Sequence, residues 1–264
     1  MTNLSRKLQK WLKPLEHTPL HPQWLVLRHR DDTYSWVAQH AQGTLIDIGC
    51  GNGHLRDHIP HNTHYIGIDY PTTIALGYTG RPDVHADASE LPIATEKSDT
   101  VTLLDVLEHL PSPEQAIAEA SRILRDGGKL LIHVPFIYPL HDEPHDYQRW
   151  TRHGLKQLLE QHDLVIHEIN ETLSAIETAS SLMTIALSKA LVDSIDRRSP
   201  SLLITPLFIV LIPTINLMGR VLGLLLPSSQ LLPFSYRVMA TRKHRNMTNN
   251  NDQRPSAPTT PGIV

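Results

Sequence analysis

The sequence predicts an α/β fold on a mostly parallel sheet, and three observations carry that prediction. Short apolar runs, LIDI at 45–48, HYIGID at 64–69 and TVTLLD at 100–105, each hold an acid at or beside their carboxyl end. Strands buried on both faces and open to a ligand only at their carboxyl ends look like this. Polar or amphipathic stretches separate the runs, as crossovers between parallel strands require. The first run leads into Gly49, Gly51 and Gly53 at alternate positions, a loop in which bare backbone can press against a ligand.

The bulk properties agree. A chain of 264 residues can bury a full core and carry an elaboration. A formal charge of -3 leaves no global basic surface for nucleic acid. Cys50 is the only cysteine, which removes a disulfide framework or a thiolate zinc site and fits a reducing cytoplasm. The 17 histidines are scattered without metal-ligand spacing. Met1 to Lys13 lacks the continuous apolar core of a signal peptide.

At the N-terminus Leu4, Leu8, Trp11, Leu12 and Leu15 recur at helical spacing, with Arg6, Lys10 and Lys13 opposite. This helix either caps the domain or lies as a basic amphipathic element on an anionic membrane. Residues 17–32 show no period, and 33–42 suit a short helix leading into the first strand. After the glycine loop, His54–Ile59 begins a helix facing the ligand. The second strand, 64–70, ends at Asp69, sixteen residues past Gly53, where doubly wound folds place a ribose-binding carboxylate. Residues 84–93, VHADASELPI, give a short strand followed by Asp87 and Ala88. The fourth strand ends near Asp105, in a loop holding Glu108 and His109. Ser112 and Pro113 open an amphipathic helix closed by Asp126-Gly-Gly128, and 129–136 form the fifth strand. Thr151 caps a helix over 152–162, and LVIHEINET gives strand six. FSYRVMATRK, 234–243, alternates as strand seven.

The DxGxGxG of Asp47 to Gly53, together with LEHL at 107–110, resembles the motifs of the class I S-adenosylmethionine (SAM) dependent methyltransferases. A dinucleotide fingerprint would instead want glycine at His54, which ranks a nicotinamide enzyme lower. The resemblance implies a Rossmann-like, seven-stranded, mostly parallel sheet with an antiparallel last strand, and SAM as cofactor. By the matching positions, Asp47 and Asp105 organise the methionine end over the backbone of Gly49, Cys50, Gly51 and Gly53. Asp69 holds the ribose and Asp87 and Ala88 the adenine, with Tyr70 and Val106 among the cofactor contacts.

Between strand five and the next helix, His141, Asp142, His145, Asp146, Tyr147, Arg149 and Trp150 crowd one proline-interrupted loop. It opens on the cofactor edge, which makes these seven the expected acceptor-binding set. The stretch resembles the HDxPxDYxR(Y/W)T loop of a bacterial subgroup of these methyltransferases, often found among genes of surface-polysaccharide or lipid metabolism. A solvated loop held by pairs such as Asp146 with Arg149 is the plainer alternative. Two imidazoles in such a loop make a weak metal site, and no metal is expected. For a hydroxyl acceptor, His109 or His145 is the expected general base.

Five segments follow: N-terminal cap helices at 1–43, the SAM-binding core at 44–173, a hydrophobic helical insertion at 174–233 between strands six and seven, the last strand at 234–245, and a disordered tail rich in Asn, Pro and Thr at 246–264. Between Arg198 and Arg237 only Arg220 is charged, a length that could cross a bilayer, since about 20 helical residues span roughly 30 Å. Strand seven must nevertheless return beside strand six, which excludes a single crossing. The other candidate span, 174–195, carries Glu177, Lys189 and Asp193. Pro206 and Pro213 suggest a bent hairpin. The preferred expectation is a monotopic insertion dipping into the cytoplasmic leaflet, flanked by Arg197, Arg198, Arg237, Arg242, Lys243 and Arg245 for anionic headgroups. A helical subdomain packed on the core or a dimer interface is the alternative. The functional expectation is a methyltransferase acting on a lipid-linked, glycan or other hydrophobic small-molecule acceptor at the cytoplasmic membrane face. A catalytically silent SAM-binding scaffold and a soluble small-molecule methyltransferase are the alternatives, a homo-oligomer stays open, and nucleic acid is not expected as a partner.

Overall fold

The structure is a computed structural model and describes residues 13–244. The tail at 246–264, Arg245 and all but the end of the amphipathic helix expected over Leu4 to Leu15 therefore lie outside the described residues, and Lys13–Leu15, the described end, is a 3-10 turn.

Seven strands, β1 (Thr44–Ile48), β2 (His64–Asp69), β3 (Val84–His85), β4 (Ser98–Leu104), β5 (Leu124–Pro135), β6 (Leu164–Glu171) and β7 (Ser235–Arg242), form one sheet in the order β3-β2-β1-β4-β5-β7-β6. β1 pairs parallel with β2 and β4, while β7 runs antiparallel between β5 and β6. The two-residue alternation of strands divides the core: Ile46, Ile48, Leu130 and Ile132 enter one apolar cluster, Leu45 and Leu131 the other. Helices α1 (Trp24–His40), α2 (Pro113–Ile123) and α3 (Arg152–Glu160) supply much of what packs there. The predicted cap of α3 is present, Thr151 Oγ1 accepting from the Gly154 amide at 3.0 Å.

Three expected elements take different bounds. α1 begins at Trp24 rather than at 33, because both of its ends are anchored by tertiary contacts: Trp24 and Leu25 against Leu173 and Phe234, Trp36 and Val37 against Leu45 and Leu131. The charged run from Arg28 to Asp32 between these anchors hides the period. The helix after the glycine loop is only a 3-10 turn, His54–His58, since the residue before Pro60 turns extended. β5 starts at Leu124, directly off α2. Asp126-Gly-Gly128 is thus part of an irregular strand start, with Gly127 at φ 73° and a register shift against β4.

The connection from β6 to β7 carries α4 (Ala175–Asp196) and α5 (Thr205–Leu225). A capping box starts α4, the Ser174 hydroxyl accepting from the Glu177 amide and the Glu177 carboxylate accepting from the Ser174 amide. The helices pack closely because Gly219 and Gly223 leave room: a Cβ at Gly219 would stand 2.4 Å from Ser180 Oγ, and one at Gly223 2.7 Å from Ser174 Oγ. Glu177, almost wholly buried, receives the Arg220 guanidinium at 2.9 Å. The acid that argued against a membrane helix is thus neutralised within the hairpin. α5 runs unbroken through Pro213, and Pro206 sits in its first turn, where no amide hydrogen is needed.

Candidate functional site

The carboxyl ends of β1, β2 and β4 open onto a cleft of about 620 Å³. Its floor is the glycine loop. Gly49, Gly51 and Gly53 have φ of 73°, 53° and 73°, in the left-handed region, and a Cβ at Gly49 would come within 2.4 Å of Val106 Cγ2. Asp47 is buried in the sheet below, where Tyr65 Oη donates to Oδ2 at 2.5 Å and Thr102 Oγ1 to Oδ1 at 2.7 Å. Burial outweighs those two hydroxyls and pushes its carboxyl up to about 6. Burial also pushes the Cys50 thiol up to about 12, which leaves it inert as a nucleophile at neutral pH.

Asp69 ends β2 with Oδ2 accepting from the Gly51 amide at 3.0 Å and Oδ1 from the Tyr70 amide at 2.8 Å. It therefore ties the loop in place, and each oxygen keeps acceptor capacity toward the cleft. Asp87 Oδ1 accepts from both the amide and the hydroxyl of Ser89, so one side of that carboxylate is spent on its own turn. Asp105 follows β4 at φ 54° and opens to the cleft. Burial would raise its carboxyl, but the His133 imidazole, 2.8 Å away, reverses that and holds it below the usual carboxylate value. His133 Nε2 in turn lies 2.8 Å from Ser235 Oγ, which is 2.6 Å from Thr172 Oγ1. A polar relay thus runs from the cleft to the start of β7.

The acceptor loop divides into two sets. Asp142, His145 and Tyr147 line the cleft with His109, and Tyr78 Oη donates to Asp142 Oδ2 at 2.7 Å across it. Asp146 and Arg149 instead brace the loop from within: the Arg149 Nη2 donates to Asp146 Oδ2 at 2.7 Å and to the Tyr138 carbonyl at 3.0 Å. Arg149 and burial act oppositely on Asp146, and its carboxyl falls to about 2. Trp150 packs on the main core. Gly53, His141, Asp146, Arg149 and Trp150 do not line the cleft, whereas Asp47, Gly49, Cys50, Gly51, Asp69, Tyr70, Asp87, Ala88, Asp105, Val106, His109, Asp142, His145 and Tyr147 do.

Sequence reasoning missed Tyr34 and Tyr78 on the cleft wall, which carried no motif, and Tyr65 and Thr102 beneath Asp47. It also gave no role to Glu108, which is fully buried with neither carboxylate oxygen hydrogen-bonded. Burial and then the Asp105 charge raise its carboxyl well above the usual value. His141 lies beside it rather than on the cleft, its ring edge-on to His109 with centroids 4.7 Å apart.

The glycine cradle that a Cβ would fill, the carboxylate tied to it at the end of β2, and the apolar slot at Ala88, Leu110 and Pro111 suit a nucleoside bearing a short charged arm. Residues 46–132 match the family model described as a methyltransferase domain. Ubiquinone biosynthesis O-methyltransferase of Burkholderia pseudomallei is 33% identical over 134 residues, covering 45% of this chain and 55% of that protein. The protein of the same name from Saccharophagus degradans is 33% identical over 103 residues, 35% of this chain and 44% of that one. The chain thus spans about half the length of the curated relatives it matches. Among solved structures, a SAM dependent methyltransferase from Archaeoglobus fulgidus shares the fold with a TM-score of 0.52 at 18% identity, over 82% of this chain and 93% of that one. Residues 46–132 thus form a methyltransferase domain, and its place in a 3-2-1-4-5-7-6 sheet supports a class I methyltransferase with SAM as the implied cofactor.

Proposed function

We propose that this chain transfers a methyl group from SAM to a hydrophobic, lipid-linked acceptor at the cytoplasmic face of a membrane. One observation carries the membrane half of the reading: α4, α5 and the segments beside them present a broad apolar surface that nothing among the described residues covers. Leu203, Ile209, Val210, Leu224, Leu225 and Leu231 are between 62 and 87% exposed. Surfaces of this kind mark interaction sites. Both helices are long and apolar enough to cross a membrane, and burial of Glu177 against Arg220 takes one acid of α4 off the surface, while Lys189 and Asp193 pair with each other toward its carboxyl end, the part to be kept near headgroups. Arg197 and Arg198 stand at the turn between the helices, exposed beside Leu203 and Ile204, where anionic headgroups would meet them. The basic residues within and just after β7 are placed otherwise. Arg242 donates to the Leu124 carbonyl and pairs with Glu96 at 3.2 Å, Arg237 lies over Trp36, and Lys243 faces Asp163.

The same hairpin reaches the site through one residue. Tyr138 packs edge-on against His141, centroids 4.9 Å apart, and against Phe234, 5.4 Å apart, and joins Leu173 and Leu182 in one apolar cluster. An acceptor anchored in lipid would therefore find its polar end near the acceptor loop while its tail stays with the hairpin.

When bound, SAM supplies an electrophilic methyl group on a sulfonium that is already a good leaving group. The work left to the protein is to orient the reactants and exclude water. The glycine loop would let the cofactor lie against bare backbone, Asp69 would accept from its sugar, and the Ala88–Leu110–Pro111 slot would take its base. Asp105, fixed by His133, keeps a negative charge at the end of β4, where a positively charged centre needs one. Asp142, His145 and Tyr147 line the mouth and orient the acceptor.

The test incubates the purified chain with radiolabelled SAM and a membrane lipid extract, and in parallel floats the chain with vesicles of neutral or anionic phospholipid. Label in the organic phase that disappears in Asp69→Ala, with flotation on anionic vesicles, supports the reading. Label only with a soluble extract, or a chain that stays at the bottom of the gradient, overturns the lipid half and turns the apolar face into an interface between protein subunits. SAM binding without transfer from either extract overturns the enzymatic half in favour of a scaffold.

A further inference from the structure

Three side chains from two distant stretches converge beside the cleft. Glu108 and His109 come from the turn after β4, and His141 from the loop after β5. His109 Nε2 lies 3.8 Å, and His141 Nε2 3.9 Å, from Glu108 Oε1, and the three atoms all fall within 4.8 Å of one another. Each imidazole is fixed from behind. His109 Nδ1 donates to the His145 carbonyl at 2.9 Å, and His141 Nδ1 faces Asp146 Oδ2 at 3.2 Å and the Pro139 carbonyl at 3.3 Å. Both rings are thus held in the tautomer that turns an Nε2 lone pair toward the same carboxylate, with a carbonyl or carboxylate behind each, as around histidines that bind metals. Asp146 is held in place for this by the bidentate Arg149.

Glu108 is the independent observation. Its side chain is fully buried and neither oxygen has a hydrogen-bond partner among the described residues, the two imidazole nitrogens standing beyond hydrogen-bond distance, a costly arrangement unless something occupies the space in front of it. A proton would neutralise the group but leave its oxygens without donors. A cation would satisfy both.

We propose that Glu108 Oε1, His109 Nε2 and His141 Nε2 bind one divalent first-row transition metal ion, of the class of zinc, cobalt or manganese. Two imidazoles and a carboxylate on one side of an ion form a facial set that leaves positions open for oxygen ligands. Donors at about 2.0–2.2 Å from an ion stand roughly 3–3.5 Å from each other, so each histidine nitrogen closes on Glu108 by about half an ångström on loading and the two nitrogens close on each other by up to about 1.5 Å, within the reach of two side chains on loops. His109 lines the cleft, which puts the open positions on the acceptor side. Resting on the methyltransferase reading, the ion would take the acceptor's oxygen and lower its pKa, the work expected from sequence of a histidine base.

The experiment reads metal content, so it stands apart from whether an acceptor is ever found. Tag-free full-length chain is stripped with chelator and titrated with Co²⁺ and Zn²⁺, followed by the visible cobalt spectrum and by elemental analysis after desalting. The expected result is one equivalent bound at micromolar or tighter affinity. A loss of at least tenfold is expected in Glu108→Gln and in His141→Ala, with no change in His153→Ala, which removes an exposed histidine on α3. Binding of equal strength in Glu108→Gln and wild type, or no stoichiometric binding at all, overturns the site. Should Glu108→Gln fail to fold, His141→Ala, whose side chain is only 26% exposed but sits on a loop, carries the same comparison. SAM affinity measured on the stripped and loaded samples separates the two proposals. Stoichiometric metal with no SAM binding would sink the methyltransferase reading alone, and SAM binding without metal would sink the site alone.

Discussion

Arg220→Met tests whether the hairpin stands on its one internal charge pair. Arg220 Nη1 is 2.9 Å from Glu177 Oε1, the Glu177 side chain is 6% exposed and that of Arg220 29%. The other carboxylate oxygen, Oε2, is already committed to the amide and hydroxyl of Ser174. Methionine fills most of the space of the arginine stem but leaves the carboxylate buried without its counter-charge. Two charges about 4 Å apart interact by about 4 kcal/mol at an effective dielectric constant of 20. Breaking a buried pair costs about 3–5 kcal/mol. The partial exposure of Arg220 reduces this to about 2–4 kcal/mol, or about 5–15 °C in Tm for a chain of this size. Glu177→Gln with Arg220→Met removes both charges and keeps an amide oxygen for the Ser174 cap. It is expected to recover at least half of the loss. Urea unfolding of the full chain, followed by circular dichroism, gives the three free energies. A loss below about 1 kcal/mol in the single variant, or a double variant no more stable than Arg220→Met, would refute the view that a desolvated pair holds α4 to α5.

Three further outcomes follow from the site. Asp69→Ala removes the acceptor for the Gly51 and Tyr70 amides as well as for a ribose, so SAM affinity by calorimetry should fall at least a hundredfold, and an effect under threefold would remove Asp69 from the site. Gly49→Ala places a methyl within 2.4 Å of Val106 Cγ2 at a positive φ; it should cost about 1–3 kcal/mol of stability through strain, only partly restored by adding Val106→Ala, and full restoration would show that the clash alone mattered. Asp47 has its folded pKa raised to about 6 from an unfolded value near 3.9. The folded state therefore binds this proton more tightly, and the contribution is full below about pH 4 and lost as pH rises through about 6. The stability of wild type relative to Asp47→Asn should fall by up to about 3 kcal/mol between pH 4 and 7. Parallel pH profiles would mean that Tyr65 and Thr102 hold the charge without cost.

The sheet was legible because its signals are local. A central strand needs a continuous apolar run, the loop after it needs glycine at positive φ, and both lie within nine residues at 45–53. Strand seven was found across a long gap for the same reason, since Tyr236, Val238 and Ala240 alternate with Arg237 and Thr241. What escaped depends on tertiary contact. The first three turns of α1 are helical because Trp24 and Leu25 find Phe234 and Leu173, and nothing in residues 17–32 announces that pairing. Glu108 read as a turn acid in LEHL. Its burial is completed by the acceptor loop, whose Tyr147 amide donates to the Glu108 carbonyl at 2.9 Å. His141 was placed in the acceptor set because the loop is dense, but its partners lie 32 and 33 residues earlier in sequence, a pairing that spacing does not encode.

The position of β7 sets an order of events for the newborn chain. β6 hydrogen-bonds only to β7, and β7 fills the place between β5 and β6, with Lys129 opposite Thr241 and Leu164 opposite Arg242. Until residue 242 has left the ribosome, β5 shows a bare edge and β6 has no partner, so the catalytic sheet stays open while the whole apolar hairpin is already outside. The most aggregation-prone part of the chain is thus exposed during the interval in which the domain cannot close. A hairpin that settled on a surface as it emerged would shorten that exposure, and the last strand would then close the sheet at the place where the hairpin had come to rest.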